Sequence, residues 1–200
     1  MATDTTEKDT RSLILATGQQ MMSRKGFSSV GLTEILTGAG VPKGSFYHYF
    51  ASKDAFGAAM LEAYFEEYLG EIDGIIAKPG LTGGERVMLY FANWRESQGA
   101  FDCQGRCLAV KLGAEVSDLS ESMRLALKTG TSRIIGRLKT MIEMGLGDGS
   151  IKIAGSPVDA AASLYYQWLG ASVMVKIVRT HDPFETALLS TRSMLGMMNH

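Results

Sequence analysis

Few residues of this chain admit chemistry: two cysteines, three histidines, and a cluster of cationic, hydroxyl and aromatic side chains between positions 33 and 53. Cys107 follows Arg106 directly and stands four residues before Lys111, in the first turns of an expected helix. Cations and a helix N-terminus both favour the thiolate, the form that oxidants and electrophiles modify. The same thiol lies beside Leu108 and Val110, so a small buried hydrophobe is the competing reading. A zinc site draws on about four ligands. Cys103 and Cys107 supply two, and His48, His181 and His200 stand at no partner spacing, so neither a metal nor a cofactor is expected. An enzyme using Cys107 as nucleophile has no histidine near it in sequence, and neither a Ser/His/Asp signature nor a glycine-rich phosphate loop occurs. The chain is therefore expected not to be an enzyme, with no catalytic residue.

Thr33 to Lys53 carries a different chemistry. Lys43, Gly44, Ser45, Tyr47 and His48 fall on the outward side of a short expected helix whose inner side holds Phe46 and Phe50. A lysine reaches phosphate or a guanine edge, and a glycine lets the backbone approach a duplex closely. Tyr47, His48 and Thr33 suit phosphate contacts, which orient a protein on DNA without reading sequence. Spacing leaves an alternative open, in which Phe46-Tyr-His-Tyr-Phe50 is an aromatic core helix without a ligand, because a short helix-turn-helix pattern is a weak signal.

Positioning these side chains takes helices. Leu13, Ile14, Ala16, Thr17, Met21 and Met22 recur at helical spacing up to Gly26 and predict a first helix over about 9–25. Thr33 is expected to cap a second, short helix bearing Ile35, Leu36 and Ala39, which Gly40 ends. Pro42 suits the first turn of a third helix running through Phe46, Tyr49 and Phe50. The link Ala39-Gly40-Val41-Pro42 has the length and turn chemistry of a helix-turn-helix, held by burial of Ile35, Leu36, Val41, Phe46 and Phe50. After Ser52 a connector helix reaches Lys78-Pro79-Gly80, and further helices are predicted at about 82–99, 103–114, 120–147, 157–180 and 183–198. Asp118-x-x-Glu121 and the glycine-rich Gly145 to Ser150 mark two of the breaks. The expected fold is all-α, with a small three-helix head over residues 1–52 and a larger helical body over 53–200 that contains the aromatic residues Phe91, Trp94, Tyr165 and Trp168.

Composition narrows the classes. With 46% hydrophobic and 20% charged residues and only four prolines in 200, the chain should fold around a real core. A net charge of −1 and a pI near 6.3 exclude coating of nucleic acid by bulk positive charge. Met1 to Lys53 carries six Lys/Arg against four acids, whereas Glu62, Glu66, Glu67, Glu71 and Asp73 face only Lys78, so a DNA contact belongs at the N-terminal end. The polar start MATDTTEKDTR precedes no apolar leader segment, and the most apolar stretch, Ala160 to Val178, is interrupted by Gln167 and Lys176. A cytoplasmic protein with no membrane partner is expected, and that stretch reads as a buried or dimer-forming helix.

The run Thr33-Glu-Ile-Leu-Thr-Gly-Ala-Gly-Val-Pro-Lys-Gly-Ser-Phe-Tyr-His-Tyr-Phe-Ala-Ser-Lys53 resembles the DNA-binding signature of the TetR family. The resemblance implies a nine- or ten-helix homodimer with helices one to three as DNA head, helix four as linker, and the last two helices at the dimer interface, so that residues 1–52 are a helix-turn-helix DNA-binding domain and 53–200 a helical sensor and dimerisation domain. Within the family, an alternative is a non-covalent sensor in which Phe91, Trp94, Tyr165 and Trp168 form an aromatic pocket for a small hydrophobic inducer, with Tyr165, Trp168 and Leu169 as pocket or interface anchors. It places Lys43, Gly44, Ser45, Tyr47 and His48 on the recognition helix, Thr33 at the start of the helix before it, and Lys53 near a phosphate. Leu36 departs from the alanine common in the family. Two recognition helices would read palindromic operator DNA with half-sites roughly 34–36 Å or more apart. Cys107 to Arg124, with Val41 to Phe50 and Trp168-Leu-Gly-Ala171, further resembles the N-ethylmaleimide-responsive branch of that family. That branch implies a repressor relieved by electrophile or oxidant at the position of Cys107; Cys103 is outside its pattern. Lys176 also matches it. Its stem runs along an apolar face with Leu169, Ser172 and Val173 and can snorkel to solvent, whereas burial would depress its pKa and leave an amine near the sensor.

Overall fold

The computed structural model describes the backbone of residues 2–103 and 107–197 and the side chains of 10–97 and 107–197. Among them the chain is all-helical: α1 (Ala2–Lys25), α2 (Leu32–Ala39), α3 (Lys43–Tyr49), α4 (Lys53–Ala77), α5 (Gly83–Cys103), α6 (Leu108–Leu119), α7 (Glu121–Asp148), α8 (Pro157–Val178) and α9 (Asp182–Met194). None of these helices is long and apolar enough to cross a membrane. Gly26 and Gly40, at φ +88 and +66, take the left-handed turns after α1 and α2, a conformation that costs any residue with a Cβ. The Gly40 N–H closes α2 onto the Thr37 carbonyl and Val41 N–H onto Leu36, which makes the tight turn into α3.

Helix ends depart from the sequence expectation where backbone rather than side chain decides them. Gly31, not Thr33, caps α2, without a side-chain hydrogen bond, and Thr33 is the second helical residue. Pro42 is the cap of α3 rather than a member of its first turn. Asp118 lies inside α6, and the junction with α7 falls on Ser120, whose hydroxyl accepts from Met123 N–H at 3.5 Å. α7 runs through Gly145 and Gly147, and α5 continues to Cys103.

The chain falls into two compact units, one of residues 1–67 with 111–130, the other of 68–110 with 131–200. In the first, α1 packs on α2 and α2 on α3. Its core includes Ile14, Met22, Ile35, Phe46, Phe56, Met60 and Met123, with the Phe46 ring 5.2 Å from Phe50 and 5.6 Å from Phe56. Ile35, Leu36, Phe46 and Phe50 are buried as expected; Val41 is half-buried.

In the second unit, α5 packs on α8 and α8 on α9 around Tyr90, Phe91, Trp94, Tyr165, Trp168 and Phe184. The start of α5 is anchored by Gly83 N–H to Asp148 Oδ2 (2.6 Å) and Gly84 N–H to Ser150 Oγ (2.9 Å). Arg86 donates to the carbonyls of Ile76 and Lys78 at 3.0 and 2.6 Å, satisfying the end of α4, groups that a helix terminus otherwise leaves unpaired.

Candidate DNA-recognition and sensor sites

α3 buries one side and shows the other. Phe46 is fully buried, while Lys43, Gly44, Tyr47 and His48 are exposed, Tyr47 to 58%, and Ser45 is half-buried. A Cβ at Gly44 would meet nothing within 4 Å, so nothing inside this unit demands a glycine there. That space suits close approach of an external backbone such as that of a duplex. Thr33 is exposed near the start of α2.

Lys53 takes a different place from the outer five. Its ammonium donates to the Phe27 carbonyl at 2.8 Å and sits 4.4 Å from the Phe27 ring centroid. The first residue of α4 thereby holds the loop between α1 and α2. The neighbouring amides of that loop are held as well: Phe27 N–H donates to Glu115 Oε2 at 3.1 Å and Ser28 N–H to Oε1 at 2.8 Å. Burial alone would raise the Glu115 pKa, but the hydrogen bonds from Ser28 and Phe27 and the charge of Lys111 together hold it below its ordinary value. The sequence gives no local signal for Glu115, which bonds residues 88 and 87 positions away.

Cys107 is buried and immediately precedes Leu108, the first residue of α6, so it stands at the helix N-terminus rather than within its first turns. Arg106 and His200 lie outside the described residues, as does the side chain of Cys103. Three tyrosines share the surroundings of Cys107: Tyr68 on α4, Tyr90 on α5 and Tyr165 on α8, with Tyr68 Oη 3.3 Å from Tyr90 Oη. Burial first, and the electrostatic influence of Cys107 among the lesser causes, pushes all three phenols well above the usual tyrosine range. They remain protonated donors at neutral pH. Tyr68 and Tyr90 carry no sequence pattern linking them to Cys107; only packing of separate helices joins them.

Phe91, Trp94, Tyr165 and Trp168 do come together, packed on one another. Phe91 stacks on Trp168 at 4.5 Å and 16°, and Trp94 meets Tyr165 at 5.6 Å. The Trp94 indole N–H donates to Ser172 Oγ and that of Trp168 to Thr191 Oγ1, both at 2.9 Å. Ser172 and Thr191 hydroxyls then donate to the carbonyls of Trp168 and Ala187 at 2.8 and 2.7 Å. Tyr165 and Trp168 are thus core residues and Leu169 is half-buried; the exposed apolar residues of α8 include Tyr166, Val173, Met174 and Ile177, the last 66% exposed, with Leu189 on α9 at 64%. Lys176 is half-buried in the last turn of α8, one turn beyond Ser172.

Residues 14–60 match bacterial regulatory proteins, tetR family, and residues 83–190 match the tetracyclin repressor-like C-terminal domain. The chain is 40% identical over 191 residues, 96% of each chain, to the HTH-type transcriptional repressor NemR of Escherichia coli K12. It is 32% identical over 88% of its length to the transcriptional regulator AcuR of Cereibacter sphaeroides, covering 80% of that protein. The crystal structure of the reduced form of E. coli NemR superposes with a TM-score of 0.90 at 39% identity, covering 96% of this chain and 100% of that one. With the exposed recognition face of α3 and two family matches along its length, the chain belongs to the tetR family of bacterial regulatory proteins, as a DNA-binding helix-turn-helix transcriptional regulator.

Proposed function

We propose that the protein is a homodimeric transcriptional repressor whose residues 1–52 bind palindromic operator DNA and whose residues 53–200 dimerise and sense, with Cys107 as the sensor. Lys43, Gly44, Ser45, Tyr47 and His48 face the major groove, Thr33 touches phosphate, and Lys53 sets the loop behind them. The apolar surface of α8 and α9, led by Tyr166, Val173, Met174, Ile177 and Leu189, is the dimer face.

The observation that carries the sensing role is the place of Cys107 at the N-terminus of α6 beside three phenols, which offsets the burial that would otherwise disfavour a thiolate. A helix N-terminus and hydrogen-bond donors stabilise a thiolate. When such a thiolate adds to the double bond of N-ethylmaleimide, a C–S bond forms as the C=C π bond breaks, and the neighbouring carbon takes up a proton from solvent. The added volume has to be accommodated in a close-packed interior, which moves discretely rather than yielding. A coupling of about 1–3 kcal/mol between sensor and head weakens operator binding roughly 5- to 150-fold. Both indole N–H groups of the candidate pocket are already satisfied and its rings packed on one another, which favours sensing at the thiol over sensing between the rings. Lys176 is proposed as part of the same switch.

The test is operator binding by purified protein with DNA from its own upstream region, with and without N-ethylmaleimide, in wild type and Cys107→Ser. Wild type should lose binding on modification and Cys107→Ser should keep it. Stoichiometric labelling of Cys107 with unchanged affinity would remove the sensing role and leave the DNA-binding role standing. An unchanged response in Lys176→Ala would remove that lysine from the switch.

A further inference from the structure

The loop between α1 and α2 is six residues of backbone, Gly26 to Gly31, that lead directly into the helix-turn-helix. It is gripped from two helices at one peptide. Glu115 on α6 takes the N–H groups of Phe27 and Ser28, one on each carboxylate oxygen, and Lys53 on α4 takes the carbonyl of Phe27. Gly26 completes the fit, because a Cβ there would stand 2.9 Å from Glu115 Oε2. Beneath the grip, Phe27 and Val30 are buried in the core of the same unit. Charge-assisted hydrogen bonds of this kind are about twice as strong as neutral ones, and two on adjacent amides fix direction as well as distance. A single carboxylate therefore sets where the chain leaves α1 and enters α2.

We infer that Glu115 is a positioning residue for operator recognition: its two-oxygen grip on the Phe27 and Ser28 amides, opposed by Lys53 on the Phe27 carbonyl, holds the α1–α2 loop so that α2 and α3 meet the operator in register. The role rests on DNA binding by α2 and α3 and is independent of Cys107. It separates cleanly from plain electrostatics. Glu115 is an acid on a DNA-binding unit, so removing its charge should tighten binding to any DNA. Loosening the loop should instead weaken the base contacts that need exact placement, leaving phosphate contacts to unrelated DNA largely in place. The two accounts predict opposite signs for the operator.

Operator and unrelated DNA affinities of unmodified wild type, Glu115→Gln and Glu115→Ala decide between them, with thermal unfolding and sedimentation measured on the same samples. Glu115→Gln keeps one acceptor oxygen and turns a donor toward the other amide, so operator affinity should fall about tenfold, further in Glu115→Ala, while affinity for unrelated DNA holds or rises. An operator affinity equal to or above that of wild type overturns the inference. So does a parallel loss for both DNAs. Amide hydrogen exchange in wild type gives an answer that needs no variant: Phe27 and Ser28 should exchange more slowly with operator bound than without, and unchanged exchange there overturns the role even if the variants fail to fold. Wild type that binds no operator at all would instead count against the proposed repressor, a result distinguishable from each of these.

Discussion

α3 and α8 both carry aromatic residues at helical spacing, and they use them in opposite ways. α3 turns Phe46 inward and leaves Tyr47 and His48 on the surface, above a glycine with open space around it. α8 turns Tyr165 and Trp168 inward and gives the indole a hydroxyl partner on α9. An aromatic that a fold leaves exposed without structural need is available to a ligand; one whose rings are stacked and whose N–H is satisfied belongs to stability. Changes in α8 should register first as unfolding, and changes in α3 first as lost binding.

The comparison is broken most severely by Trp168→Ala. Stripping a fully buried indole from between Phe91 and Phe184 should cost about 3–5 kcal/mol in urea denaturation. A cost near zero would make the α8 aromatics a preformed ligand space after all. Ser172→Ala is smaller: it leaves the Trp94 N–H buried without its acceptor, for about 1–3 kcal/mol. Gly44→Ala should invert the pattern. Alanine is the better helix former by about 1 kcal/mol and its Cβ meets nothing within the unit, so thermal stability should hold or rise while operator affinity falls. The smallest effect is a pH dependence. The Glu115 carboxyl, faced by Lys111 on its own helix and by Lys53 across the Phe27 peptide, has its pKa held below the ordinary 4.5. A depressed folded pKa gives stability that is present above the unfolded value and lost as pH falls through the folded one. Wild type should therefore lose stability more steeply than Glu115→Gln below pH 4.5, and equal slopes would show that the grip contributes nothing to folding.

What the sequence makes legible follows from range. Gly40, Pro42, Phe46 and Phe50 announce the helix-turn-helix because the turn and its small core are set by neighbours within two turns of helix. The same locality exposes Lys43, Gly44, Tyr47 and His48 as the outward face. Lys53 reads as a phosphate ligand from its place in the motif, yet its ammonium goes to the Phe27 carbonyl, a partner 26 residues away. Thr33 reads as a helix cap, but α2 starts earlier because Gly31 already provides the extended backbone that a cap needs. Glu115, Tyr68 and Tyr90 announce nothing, since each acquires its role only when the helices that bear their partners are packed. Sequence periodicity finds which face a helix buries; it does not find which distant polar group meets it there.

The closed aromatic core has an optical consequence. Both tryptophans of the chain, Trp94 and Trp168, lie in the unit that holds Cys107, and the DNA head has none. Emission excited selectively from tryptophan is a built-in reporter of one half of the molecule: it should shift when the thiol is modified and stay quiet toward changes confined to α1, α2 and α3. The two events of the proposed switch, thiol modification and DNA release, can thus be timed separately in one cuvette, the first by indole fluorescence and the second by a dye on the DNA, without adding a label to the protein.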